Sequence, residues 1–100
     1  MKNIKQLANN QIVVCEGNYQ QYKYEFFSYG TLIATYYGNI EDVEKLILTT
    51  YYDYSKTTSK WLKIFLNDYC NVYYKYTNEL RKLIKQGGCG NVNIVLNKEC

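Results

Sequence analysis

The feature that most constrains this chain is a change of period inside Tyr51–Leu66, YYDYSKTTSKWLKIFL. Upstream, apolar residues alternate with polar ones, as in strands with one buried face. Downstream they recur every three to four residues, as in helices with one buried face. A chain that changes period once is sheet first and helix second. The polar run at residues 53–60 divides the two regimes. It is rich in side chains that close turns and cap helices.

The first half divides at its turn residues. Ile12–Cys15 is a β-branched run ending at Glu16-Gly17-Asn18, which reads as a strand and a turn. In Tyr19–Tyr29, Tyr22, Tyr24 and Phe26 share one face, and Lys23 and Glu25 take the other. Gly30 marks a turn or bulge. Thr31–Tyr37 and Lys45–Tyr52 are further strands, the second with Leu46 and Leu48 facing one way and Ile47 the other. Met1–Gln11 is polar, with Ile4 and Leu7 three apart, and reads as a short helical turn or a frayed lead-in. Connections this short favour antiparallel neighbours, because a parallel crossover needs a dozen or more residues. The expectation is an antiparallel meander of three or four strands.

In the second half, Leu62, Phe65, Leu66, Tyr69, Leu80, Leu83 and Ile84 keep helical spacing. One helix over residues 57–86 would be roughly 45 Å long. A 100-residue domain is only about 35 Å across. The chain is therefore expected to break at Cys70–Tyr76, giving helices at 57–69 and 77–86, the second capped by Thr77 or Asn78. Gly87-Gly88 is the expected stop. Val92–Leu96 reads as a closing strand. Such a chain makes a single domain over residues 1–100. Its class is α+β: an antiparallel sheet of three to five strands with two helices, from the C-terminal half, packed on one face.

Several kinds of chemistry are excluded. No histidine is present, so Ser-His-Asp, Cys-His and zinc-histidine sites cannot form. Cys15, Cys70, Cys89 and Cys100 show no C-x-x-C pair, which leaves a zinc or redox motif unsupported. Neither a metal nor a cofactor is expected. The glycine-rich loop at residues 86–91 lacks the phosphate-loop lysine and follows a helix, so it reads as a helix stop. Asp53 is better suited to ordering a turn than to acid–base work. Residues 1–10 carry no apolar signal region, and no run approaches the 18 or so apolar residues of a membrane span. A reducing cytoplasm and free thiols are expected.

The net charge is only +3, but it is unevenly spread. Residues 56–85 hold seven of the 12 basic side chains and two of the nine acids. Lys56, Lys60 and Lys63 lie at i, i+4 and i+7 and project together on a helix. Arg81, Lys82 and Lys85 repeat the pattern. With Tyr51, Tyr74 and Tyr76 nearby, they could meet phosphates and stack bases, and with Tyr51 and Tyr74 they form the candidate binding set. A solvated helix face is the blander reading of the same stripe. Lysine in place of arginine argues against bidentate base reading.

Two stretches, FFSYGTLIA and YDYSKTTSKWLKIFL, resemble a family of small, functionally uncharacterised proteins of bacteriophages and other mobile elements. Its pattern is F-x-S-Y-x-x-x-I-A followed by W-D-Y-S-x-T-T-x-K-H-x-x-x-F-L. It falls here on Phe26, Ser28, Tyr29, Ile33, Ala34, Asp53, Tyr54, Ser55, Thr57, Thr58, Lys60, Phe65 and Leu66. Tyr52 replaces the usual Trp, and Trp61 the usual His. The resemblance carries no enzyme activity. It implies a mobile-element setting in the cytoplasm of a bacterial host. The expected function is non-enzymatic inhibition of a host defence complex, anti-CRISPR-like, through contact with a host protein or ribonucleoprotein complex. Nucleic-acid binding through the lysine face is the alternative, and a homodimer is left open.

Overall fold

The computed structural model describes the chain except residues 1, 19, 40–43, 53–54, 90–91 and 98–100. Its described strands are β1 (Lys2–Ala8), β2 (Gln11–Gly17), β3 (Gln21–Ser28), β4 (Thr31–Asn39), β5 (Glu44–Thr49), β6 (Gly88–Cys89) and β7 (Val92–Asn97). Two helices, α1 (Lys56–Tyr69) and α2 (Thr77–Gln86), stand between β5 and β6. The strands form one sheet in the order β1-β2-β3-β4-β5-β7-β6. The fold is α+β, as the change of period requires, but the sheet exceeds the expected three to five strands.

The meander is longer than expected because Lys2–Ala8 is a strand. It pairs antiparallel with β2, Ile4 opposite Val14. Leu7 falls where the register shifts between Gln6 and Ala8. That bulge breaks the alternation that marks a strand. The closing strand also differs: β7 runs parallel to β5, Ile47 opposite Val95. The intervening helices return the chain to the end of the sheet where β5 began, as a parallel crossover does.

The core lies between the sheet and the helices. Val13, Phe26, Ala34, Tyr36, Leu46, Leu48 and Ile94 from the strands meet Leu62, Phe65 and Leu66 from α1 and Leu80 from α2, all essentially inaccessible. Phe65 stacks on Phe26 at 5.4 Å and on Tyr69 at 5.5 Å between ring centroids. Tyr24 stacks against Tyr36 at 5.9 Å and meets Tyr69 edge-on at 5.4 Å. The tyrosines of the predicted β3 face thus build core. Tyr22 lies across Gly38, where a Cβ would sit 2.1 Å from its ring.

The joint between sheet and helix is capped by Ser55. Its Oγ accepts the Thr58 amide N–H at 3.1 Å and donates to Thr58 Oγ1 at 3.1 Å. Thr58, 1 % exposed, shares a 2.9 Å hydroxyl–hydroxyl bond with Ser28 of β3. Thr58 therefore ties the helix to the sheet instead of capping it. Asp53, expected to order this turn, lies outside the described residues.

α1 ends at the expected break. Asn71 adopts a left-handed conformation, φ 56°, and Val72 turns back into the core, its N–H bonding the Leu66 carbonyl at 3.0 Å. The start of α2 differs from expectation. Its N-cap is Tyr76, not Thr77 or Asn78, and Glu79 in the first turn reaches back to the chain just ahead of the helix. The Glu79 carboxylate accepts from the Lys75 N–H at 2.6 Å and the Tyr76 N–H at 3.4 Å. Gly87, φ 87°, stops the helix in the left-handed conformation glycine takes without strain.

Candidate functional site: a basic cleft at the helix starts

Three segments converge beside the core. α1 supplies Lys56, Ser59, Lys60 and Lys63; the connection between the helices supplies Tyr74, Lys75 and Tyr76; α2 supplies Thr77 and Arg81. With Ser55 they line a cleft of about 560 Å³ that is open to solvent. The helical stagger puts Lys56, Lys60 and Lys63 on one face. The left-handed turn at Asn71 then folds the connection back against that face. Lys63 fixes the geometry: its Nζ donates to the Lys75 carbonyl at 3.1 Å, joining α1 to the connection.

The cleft is electropositive for two reasons. It holds five basic side chains, and no carboxylate lines it among the described residues. Both helices also begin on it. A helix N-terminus carries unpaired N–H groups and about half a positive charge. The first turn of α1 contains no acid to offset this. Lys56, its first residue, instead adds charge of the same sign. Glu79 is the nearby exception. Its carboxylate is spent on the Lys75 and Tyr76 amides, and those bonds, with lesser help from Lys82 and Lys75, hold it below the usual carboxylate range.

The aromatic groups are arranged unequally. Tyr76 is 62 % exposed, with Lys75 Nζ 5.5 Å from its ring centroid. Lys60 Nζ similarly stands 5.3 Å from the Trp61 ring centre. Tyr74 is half-buried, and burial pushes its phenol up, so it stays protonated as a donor. The arrangement suits an extended anion: cations along the floor, amide dipoles at both helix starts and an aromatic face at the rim.

Of the residues singled out from sequence, Lys56, Lys60, Lys63, Tyr74 and Arg81 come together. Lys82 and Lys85 are exposed on α2 but do not line the cleft. Arg81 donates to Asn78 Oδ1 at 3.2 Å. Tyr51 lines a different cavity, of about 710 Å³, with Ser28, Tyr29, Ile33, Ser55, Thr57 and Thr58 among its walls. There the hydroxyls of Ser28, Ser55 and Thr58 bond one another, which makes that corner a joint. Tyr76, named beside the basic stripe from sequence, also lines the cleft; Lys75 was not among the expected binding residues. Reading the connection as a link between helices obscured that it packs across α1.

The nucleophile candidates give little. Burial pushes the Cys70 thiol up, as does the nearby Glu44 charge. Burial also raises Cys15, with Lys5 opposing it weakly. Cys100, the Cys89 side chain and Asp53 lie outside the described residues. No described helix is long and apolar enough to cross a membrane.

Comparison with known proteins adds a family. Residues 1–83 match the family model described as Family of unknown function (DUF8033). The chain belongs to that family. The matched span runs from β1 into α2 and includes every residue lining the cleft; β6 and β7 fall beyond it. Membership assigns no activity. No curated protein and no solved structure matches the chain.

Proposed function

We propose that this chain is a small non-enzymatic binding protein whose contact surface is the basic cleft, and that the cleft takes the phosphate backbone of a single-stranded nucleic acid. The carrying observation is the convergence of Lys56, Lys60, Lys63, Lys75 and Arg81 with two helix starts in one open cleft lacking a described carboxylate. Neutralising phosphates with such groups releases counterions, the main source of affinity for a backbone. Exposed Tyr76 and Tyr73 offer faces on which unpaired bases stack. Four of the five cations are lysines, which suits backbone contact better than base-edge reading.

A second reading is contact with an acidic surface of a host protein or ribonucleoprotein complex. It is favoured by the exposed tyrosines Tyr29, Tyr51, Tyr73 and Tyr76, which give contact area at low entropic cost. In the phage or mobile-element setting implied by the motif resemblance, such contact would inhibit a host defence complex in the bacterial cytoplasm, in an anti-CRISPR-like manner.

Fluorescence anisotropy with labelled single-stranded and duplex oligonucleotides separates these readings. At about 50 mM salt, single strands should bind, and Lys56→Glu/Lys60→Glu/Lys63→Glu should weaken them at least about 100-fold. Absence of binding by the wild-type chain at that salt would remove the nucleic-acid reading. The protein reading would then be tested by whether the same triple variant loses an acidic partner.

A further inference from the structure

Both helices cover one face of the sheet, and among the described residues no element covers the other. The register assigns its residues. Ile4, Val14, Glu25, Thr35, Ile47 and Val95 form one continuous cross-strand row. Gln6, Ile12, Phe27 and Leu32 form the next row on the same side. These side chains point away from Phe26 and Leu46, which lie in the core. Ile4 is 72 % exposed and Val95 45 %, while Val14, Phe27, Leu32 and Ile47 are half-buried by their neighbours. A sheet with one solvated face normally alternates to polar there. This one presents seven aliphatic or aromatic side chains in two adjacent rows. A contiguous apolar surface of this kind marks an interaction site.

The face also shows what fits it. Its charged side chains with described positions are Glu16, Glu25, Lys23 and Lys45, which sum to zero. Lys23 Nζ lies 3.6 Å from Glu16 and 3.8 Å from Glu25, so those charges are matched within the chain. With described charges of both signs around its apolar rows, this face meets its own copy with less repulsion than the basic cleft would. Six strands at about 4.8 Å spacing, by about six residues at 3.3 Å, make a footprint of roughly 580 Å² before side-chain relief is added. That approaches the approximately 800 Å² per partner of a stable interface. The cleft lies on the helical side. Back-to-back packing of two sheets about 10 Å apart would place one helix layer outside each. The two basic clefts would then be separated by more than the roughly 8 Å screening length of physiological salt.

We propose that two copies of this chain pack with these two faces together, forming a four-layer α/β/β/α dimer with a basic cleft on each outer side. The dimer needs no ligand in the cleft and stands independently of what the cleft binds.

Sedimentation velocity on the full chain, from about 1 μM to about 1 mM, tests the proposal. The expected species has twice the 11.9 kDa chain mass. Ile47→Lys, central on the face, should weaken dimerisation at least tenfold. Val95→Lys should do so too, and its side chain is already solvent-accessible, so it guards against a folding failure at Ile47. Unchanged circular dichroism would establish that each variant is folded. Lys56→Glu/Lys60→Glu/Lys63→Glu should leave the mass unchanged. A wild-type monomer throughout this range would overturn the proposal and leave the face to a different molecule. So would a dimer that survives both lysine substitutions.

Discussion

Gln11 is at odds with its surroundings. It is fully buried opposite Ser28, and among the described residues neither its Nε2 nor its Oε1 has a hydrogen-bond partner. A buried amide without partners forfeits its hydration with no return, at a cost of about 1–3 kcal/mol. Gln11→Met keeps much the same length and removes both polar atoms. It should raise stability by about 1 kcal/mol in denaturant unfolding. A loss would show that the amide is satisfied in solution. Glu79 shows the opposite case, an exposed charge fully employed. The Lys75 and Tyr76 amides depress its pKa. Its contribution to α2 is therefore present above the unfolded carboxylate pKa and lost as pH falls through the lower folded value. An NMR titration should find its midpoint below the usual glutamate range, with the Lys75 and Tyr76 amides moving in step. Glu79→Gln should abolish that movement. An ordinary midpoint would contradict the capping role.

At the scale of elements, α1 violates a rule of helix design. It begins with Lys56 and has no acid in its first turn, although the positive helix end favours anions. Local rules broken without a packing reason tend to mark function. Lys56→Glu should therefore stabilise the fold by about 0.3–1 kcal/mol in thermal melts while weakening ligand binding. Parallel losses in both would make Lys56 structural. Most elements were legible because their periods are strong: α1 and α2 begin within a residue of expectation, and the alternating faces of β3 and β5 stand. β1 was not, because an edge strand pairs on one side only and its polar sequence is broken by a bulge at Leu7. β6, two residues long, carries no pattern at all. The parallel pairing of β7 depends on where the helices deliver the chain, which periodicity does not encode.

For the whole molecule, the central property is separation of net positive charge from apolar surface. The cleft gathers cations on the helical side, and the sheet face turned from the helices carries two rows rich in apolar side chains beside described charges of both signs. Half of this was visible in the chain: the spacing of Lys56, Lys60 and Lys63 and the basic excess of residues 56–85. The other half required the third dimension. Lys75 reaches the cleft through the reversal at Asn71, while Lys82 and Lys85, equally basic in sequence, lie outside it. Tyr51 was drawn to the joint cavity by the turn that follows β5.

The most direct test of the cleft is the salt dependence of single-strand binding. Five cations that each displace one phosphate counterion predict a slope of about −3.5 in log affinity against log salt concentration. The Lys56→Glu/Lys60→Glu/Lys63→Glu variant should show little residual binding. A wild-type slope near zero, or a slope unchanged in the variant, would contradict the assignment of this cleft as the binding surface.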